Sequence, residues 1–214
     1  MLASIKNFYN QLQEDQDGHR YKSWEHCFNA FGNHNQNIDI LSLHLAFYLA
    51  SWGMYRGSSG LLWKDYTIHR KAVEIILRYS NIRVTEMTPT PDPQQIFNCF
   101  SDLKKYYSQV EYNNTKIKKS ISATDTLLTK IMLGTLGNIP AFDRYFLIGV
   151  NGIIKPLSVK LSSIEGISQY AIKKSTEISS CQEYIYNISN QYYPPMKIID
   201  MYFWEIGFDK ESSK

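Results

Sequence analysis

The sequence predicts an all-α protein of about nine to ten helices, and three observations carry that prediction. Apolar residues return every three or four positions along most of the chain, the period of a helix with a buried face. Caps and breakers punctuate those stretches at helical lengths, most clearly Asp92-Pro93, Ser122 with Asp125, Gly137-Asn138 and Pro194-Pro195. No segment has a strand pattern, and no phosphate-binding glycine loop or internal repeat occurs.

Composition narrows the possibilities. A chain of 214 residues with 43% apolar content can bury one good core, expected here as a single domain over residues 1–214 built of two packed lobes with a cleft. Net charge is only +3, which excludes a strongly basic, tail-like binder and leaves nucleic-acid contact to local patches. Cys27, Cys99 and Cys181 are odd in number and far apart. That excludes a CxxC zinc site and a four-cysteine iron–sulfur loop, and fits a reducing, cytoplasmic setting. The longest apolar run is broken by His44 and Met1 to Gln13 is polar, so neither membrane span nor signal peptide is expected. The expectation is a monomer with no metal and no cofactor.

In chain order, Leu2 to Glu14 and Tyr21 to Phe31 are amphipathic helices. His19, His26 and His34 fit no metal-ligand spacing and read as surface or capping residues. Asn37 or Asp39 caps Ile38 to Trp52, which is apolar on nearly every side and so predicts a helix buried all round, with His44 in the core. Ser51 to Gly60 then carries three glycines and three serines beside Trp52, Tyr55 and Arg56. Glycines permit close backbone approach, while Arg56, Ser58 and Ser59 can donate to phosphates or base edges. The same stretch also reads as an ordinary glycine-terminated turn. Leu61 to Tyr79 predicts a helix with Asp65 and His69 at i, i+4, either a polar pair at a pocket or an ordinary buried or surface contact.

Proline-rich residues 87–93 are the lobe linker, and Asp92 caps a helix from Pro93 to Gln109. Lys104, Lys105, Lys116, Lys118 and Lys119 then form a basic cluster, suited to gripping phosphate or simply to solvation. The central stretch follows. Ser122 and Asp125 start a helix whose Leu127, Leu128, Ile131, Met132 and Leu136 form one buried face, and Gly137-Asn138 stops it. Ile139-Pro140-Ala141-Phe142 crosses over in extended form, and Asp143 caps a second helix from Arg144 to Val150. Further helices begin near Ser163 and Cys181, a last one spans Met196 to Phe208, and Asp209 to Lys214 is a polar tail.

The run of helix, glycine, short link, apolar-Pro-apolar-apolar-Asp and new helix resembles the core of the helix-hairpin-helix DNA glycosylases over about 25 residues. The resemblance implies an enzyme that flips a modified base out of double-stranded DNA and excises it, with Asp143 as the catalytic carboxylate. Combined with the spacing and charge readings above, it gives Trp52, Tyr55, Arg56, Ser58, Ser59, Asp65 and His69 as the expected base pocket, and Lys118, Lys119, Lys130, Arg144 and Tyr145 as the expected DNA contacts. Bifunctional members carry a nucleophilic lysine near the start of the first motif helix, where this chain has Asp125 and Thr126; Lys130, a turn further on, is expected to point away or toward phosphate. The implied enzyme is therefore monofunctional and leaves an abasic site. One departure is clear: the family's glycine-rich hairpin is replaced by Lys118 to Ala123, with no glycine. That departure supports the alternative of a non-catalytic helical module binding DNA or protein. The small residues Gly57 to Gly60 suggest room for a bulky base, such as those of modified viral DNA, and hence an antiviral defence role.

Overall fold

The computed structural model describes residues 1–14, 19–33, 35–56, 59–86, 91–114 and 117–213. Among them are ten α-helices and one hairpin. The helices are α1 (Leu2–Glu14), α2 (Ser23–Gly32), α3 (Ile38–Ser51), α4 (Arg70–Arg78), α5 (Pro93–Gln109), α6 (Asp125–Thr135), α7 (Arg144–Val150), α8 (Leu161–Lys173), α9 (Ser175–Ser189) and α10 (Pro195–Ser212). The hairpin pairs β1 (Glu111–Asn114) with β2 (Ile117–Ser120).

Everything is arranged around α6. Every residue from Leu127 to Thr135 is buried, where the sequence suggested one buried face. Three neighbours, α2, α3 and α5, close round it. Trp24 of α2 donates its indole N–H to the Leu133 carbonyl at 3.0 Å. The Tyr48 ring of α3 fills the space a side chain at Gly134 would need, 2.4 Å from where its Cβ would stand. The N-cap is Thr124, whose hydroxyl accepts the Leu127 N–H, two residues later than the expected Ser122. Gly137 ends the helix at φ +65°, its N–H returning to the Met132 carbonyl.

The second determining contact is between α7 and α10. A Cβ on Gly149 would lie 1.9 Å from the Phe203 carbonyl oxygen, and one on Gly207 would lie 1.9 Å from that of Tyr145. The two backbones touch, with no side chain between them. Around these contacts runs one continuous cluster of buried side chains, from Ile5 to Phe203.

Several local expectations change. α3 is not buried all round: Ile40, Leu43 and Phe47 are exposed and His44 is only half-buried, because α2, α4 and α6 cover its other sides. The single helix expected over Leu61 to Tyr79 is broken. Lys64 is extended, and Asp65 starts a new 3₁₀ turn by accepting the Thr67 N–H, so α4 begins only at Arg70. The hairpin was not foreseen. α9 begins at Ser175, ahead of the expected Cys181, and α10 continues through the supposed tail to Ser212. His19 caps a 3₁₀ turn and His26 is exposed, as read, while His34 lies outside the described residues, as do residues 87–90 of the linker. All three cysteines are buried and free. No helix among the described residues is long and apolar enough to cross a membrane.

His69 is fully buried between two tyrosines, its Nε2 2.7 Å from Tyr55 Oη and its Nδ1 2.7 Å from Tyr107 Oη. A neutral imidazole donates to one hydroxyl and accepts from the other, and burial pushes its pKa from 6.5 down to about 3. Between those values the unfolded chain binds a proton that the folded chain refuses. The stability from this residue is therefore complete above pH 6.5 and lost as pH falls toward 3. Unfolding titrations across that range should show a decline on the order of 4 kcal/mol, and His69→Gln should flatten it.

Candidate functional site

The crossing from Ile139 to Phe142 delivers Asp143, and its last backbone groups are each held. Asp200 Oδ1 accepts the Ala141 N–H at 2.9 Å, Thr129 Oγ1 accepts the Phe142 N–H at 2.8 Å, and Thr126 donates its hydroxyl to the Phe142 carbonyl at 2.8 Å. Two helices, α6 and α10, thereby fix one short strand of backbone. Asp143 then caps α7, its Oδ1 accepting the Phe146 N–H at 3.1 Å.

The other carboxylate oxygen faces an ammonium. Lys130 Nζ lies 3.0 Å from Asp143 Oδ2, with the lysine side chain 4% exposed and the aspartate 15%. This corrects the expected orientation of Lys130. α6 has no solvent face for a lysine to reach, so the side chain runs toward the α7 N-terminus instead. Its ammonium stands 4.6 Å over the Trp52 ring. Lys197 of α10 stands 5.4 Å over the same ring and pairs with Asp200 at 3.2 Å. Burial lowers the pKa of Lys197 and raises that of Asp200, while each partner's charge opposes the shift. Two buried ammonium groups, two carboxylates and one indole thus form a cluster with no net charge. Trp52 also stacks on Tyr21 at 4.7 Å, and its buried indole N–H has no hydrogen-bond partner among the described residues.

Asp143 opens onto a cleft of about 470 Å³, walled by Trp52, Lys130 and Tyr145 and rimmed by Arg20, Arg56 and Arg144. A second space of about 350 Å³ adjoins it across Gly53, Met54, Arg56 and Thr126, and is lined farther out by Ser59 and Ser122. Of the residues singled out in the sequence, Trp52, Arg56, Lys130, Asp143, Arg144 and Tyr145 meet at the cleft and Ser59 lies in its extension. Ser59 donates its hydroxyl to the Met54 and Arg56 carbonyls, which folds the loop. Ser58 lies outside the described residues.

The remaining candidates do not converge there. Tyr55 and His69 are committed to the buried hydrogen-bonded chain with Tyr107. Asp65 bonds Thr67 at the surface, so the Asp65–His69 pair does not form. Lys118 pairs with Glu111 across the hairpin, and Lys119 is exposed on the same strand; neither lines the cleft. Arg144 reaches Glu211 at the far end of α10. Gly60 gives no extra room, since the Tyr112 ring occupies the space beside it.

Sequence reasoning missed Arg20, Thr126, Trp204, Lys197 and Asp200. The last two had a legible signal, a lysine and an aspartate three apart on an otherwise apolar helix. Among the described residues, no three His, Cys, Asp or Glu side chains gather as a metal site would require. The chain matches no family model, no curated protein and no solved structure.

The Lys130–Asp143 pair should behave as one unit. Lys130→Met leaves a carboxylate largely out of water with no counter-charge, and Asp143→Asn leaves a buried ammonium likewise, so each alone should cost about 3 kcal/mol. The double variant should cost much less than their sum. Chemical denaturation of the four proteins should give a coupling on the order of 1–3 kcal/mol.

Proposed function

We propose that this chain is a DNA N-glycosylase, similar in design to the helix-hairpin-helix enzymes that its central stretch resembles. The observation that carries the reading is Asp143: a carboxylate fixed at a helix start, set into a cleft with an aromatic wall and an arginine rim. Glycosidic cleavage builds positive charge on the deoxyribose, and a fixed carboxylate beside that sugar stabilises it or orients the attacking water. Arg20, Arg56 and Arg144 suit the phosphates that flank an extruded nucleotide, and Trp52 and Tyr145 suit the nucleotide itself.

The enzyme is monofunctional in this reading. Asp125, at the family's lysine position, accepts the Val159 N–H and cannot form an imine. Lys130 is close enough to matter, yet it is engaged as the counter-ion of Asp143. A protonated amine has no lone pair with which to attack the sugar. The extension beyond Gly53 and Met54 gives a bulky modified base somewhere to go, which supports a defence role against modified viral DNA. The protein acts as a cytoplasmic monomer on double-stranded DNA, without a cofactor.

One observation favours a second reading. The β1–β2 hairpin stands where the family has its glycine turn, and it carries exposed Lys118 and Lys119 outside the cleft. A module that binds DNA through these lysines would need no chemistry at Asp143. Such a binder would retard duplexes with a steep salt dependence and release no base.

A panel of duplexes carrying different modified bases, treated with alkali after incubation, should show strand breaks at one class of base. Asp143→Asn should abolish that release, by a hundredfold or more, with little change in melting temperature beyond the lost Lys130 charge pair, since Asn caps a helix about as well as Asp. Asp143→Ala should lose activity equally and be less stable by about 1 kcal/mol more. Full activity in a folded Asn variant would end the mechanism. Borohydride should trap no covalent enzyme–DNA adduct in the wild type; an adduct that disappears in Lys130→Met would make the enzyme bifunctional instead.

A further inference from the structure

The crossing before Asp143 owes one of its three holds to a charge buried on another helix. Thr126 and Thr129 belong to α6, the same helix that supplies Lys130, so they carry Asp143 and its partner together. The third hold is different. Asp200 comes from α10, is itself buried, and accepts the Ala141 N–H two residues before Asp143. A carboxylate is an expensive way to satisfy one buried amide, because burial works against its charge. Lys197 offsets that cost by pairing with Oδ2, which leaves Oδ1 aimed at Ala141. The Lys197–Asp200 pair makes no contact with the cleft, and the mechanism above gives it no task.

We propose that Asp200, held by Lys197, is a positioning residue for Asp143: its bond to the Ala141 amide sets where the crossing ends and so keeps the Asp143 carboxylate within reach of Lys130. The catalytic consequence rests on the glycosylase reading; the geometric one does not. α10 in this view is a ruler. It touches α7 directly through Gly149 and Gly207, and it fixes the residue just upstream of α7 through Asp200. The carboxylate between those two anchors has little freedom left.

The test uses two double variants of the full chain. Lys197→Met with Asp200→Asn removes both charges and keeps a carbonyl oxygen for the Ala141 N–H. Lys197→Met with Asp200→Leu removes both charges and the oxygen. Neither leaves a lone buried ion, so both are suited to fold; Asp200→Ala repeats the comparison if leucine is not accommodated. The first readout needs no substrate: the NMR signal of the Lys130 ammonium, protected from exchange while it is paired with Asp143. It should stay in place in the Asn variant and shift or broaden in the Leu variant. The second readout is single-turnover base release at saturating DNA. The Asn variant should stay within a few-fold of wild type, and the Leu variant should fall on the order of tenfold to a hundredfold with unchanged DNA affinity, as expected for a misplaced catalytic group. A folded Leu or Ala variant that keeps the Lys130 signal unshifted overturns the proposal, and so does an Asn variant that loses it as fully as Leu. If no duplex loses a base, or if Asp143→Asn stays active, the glycosylase reading fails, and the ammonium signal alone decides the role of Asp200.

Discussion

Direct backbone contact between α7 and α10 is the constraint on which the rest of the site depends. Helix axes normally stand 8–10 Å apart because side chains keep them separate. Gly149 and Gly207 remove that separation at two reciprocal points, each opposite a carbonyl of the other helix. Helical carbonyls cannot swing aside, so the approach has no soft alternative. α10 then holds three things at fixed distance from α7: the Lys197–Asp200 pair, the Trp204 ring packed edge-on to Tyr145, and Glu211 opposite Arg144. The side of the cleft built from Asp143, Tyr145 and Trp204 keeps its shape because the two helices that carry it are bolted together at the backbone.

Against that rigid frame, the charge cluster is a deliberate expense. Four ionised groups with little access to water are seldom the most stable way to fill a core, and well-packed apolar residues would often do better. The arrangement limits the penalty in three ways. Each lysine has its own aspartate, both ammonium groups lie over the Trp52 ring, and the aspartates also accept backbone amides. Such a cluster is cheap enough to tolerate and too costly to be filler. It meets the cleft through Lys130, Asp143 and the Trp52 ring, while Lys197 and Asp200 lie behind them.

The sequence was legible where a local signal decides the outcome. Thr124 to Val150 could be read almost residue by residue, because caps, Gly137, Pro140 and Asp143 act on their immediate neighbours. It was illegible where a distant element decides. Nothing within α6 says that three helices will close every side of it, and so nothing says which way Lys130 will turn. Apolar residues nearly all round α3 implied full burial, yet Ile40, Leu43 and Phe47 are exposed. β1 and β2 are short and mostly polar, so pairing rather than apolar alternation makes them strands. The Asp65–His69 spacing looked meaningful only under an unbroken helix, and Lys64 breaks it.

The cleft is also assembled from both ends of the chain. Arg20 and Trp52 come early, Lys130 and Asp143 from the middle, and Trp204 from the last helix. During synthesis on a ribosome, α6 and the crossing emerge well before α10 does. Until α10 docks, the Ala141 amide lacks the Asp200 carboxylate and α7 lacks its backbone contact with Phe203 and Gly207. The nascent chain therefore carries the cleft residues from Arg20 to Tyr145 before the Asp200 hold and the Trp204 ring can join them. The cleft is finished only with the docking of α10, which brings Trp204 to its wall and Asp200 to the crossing.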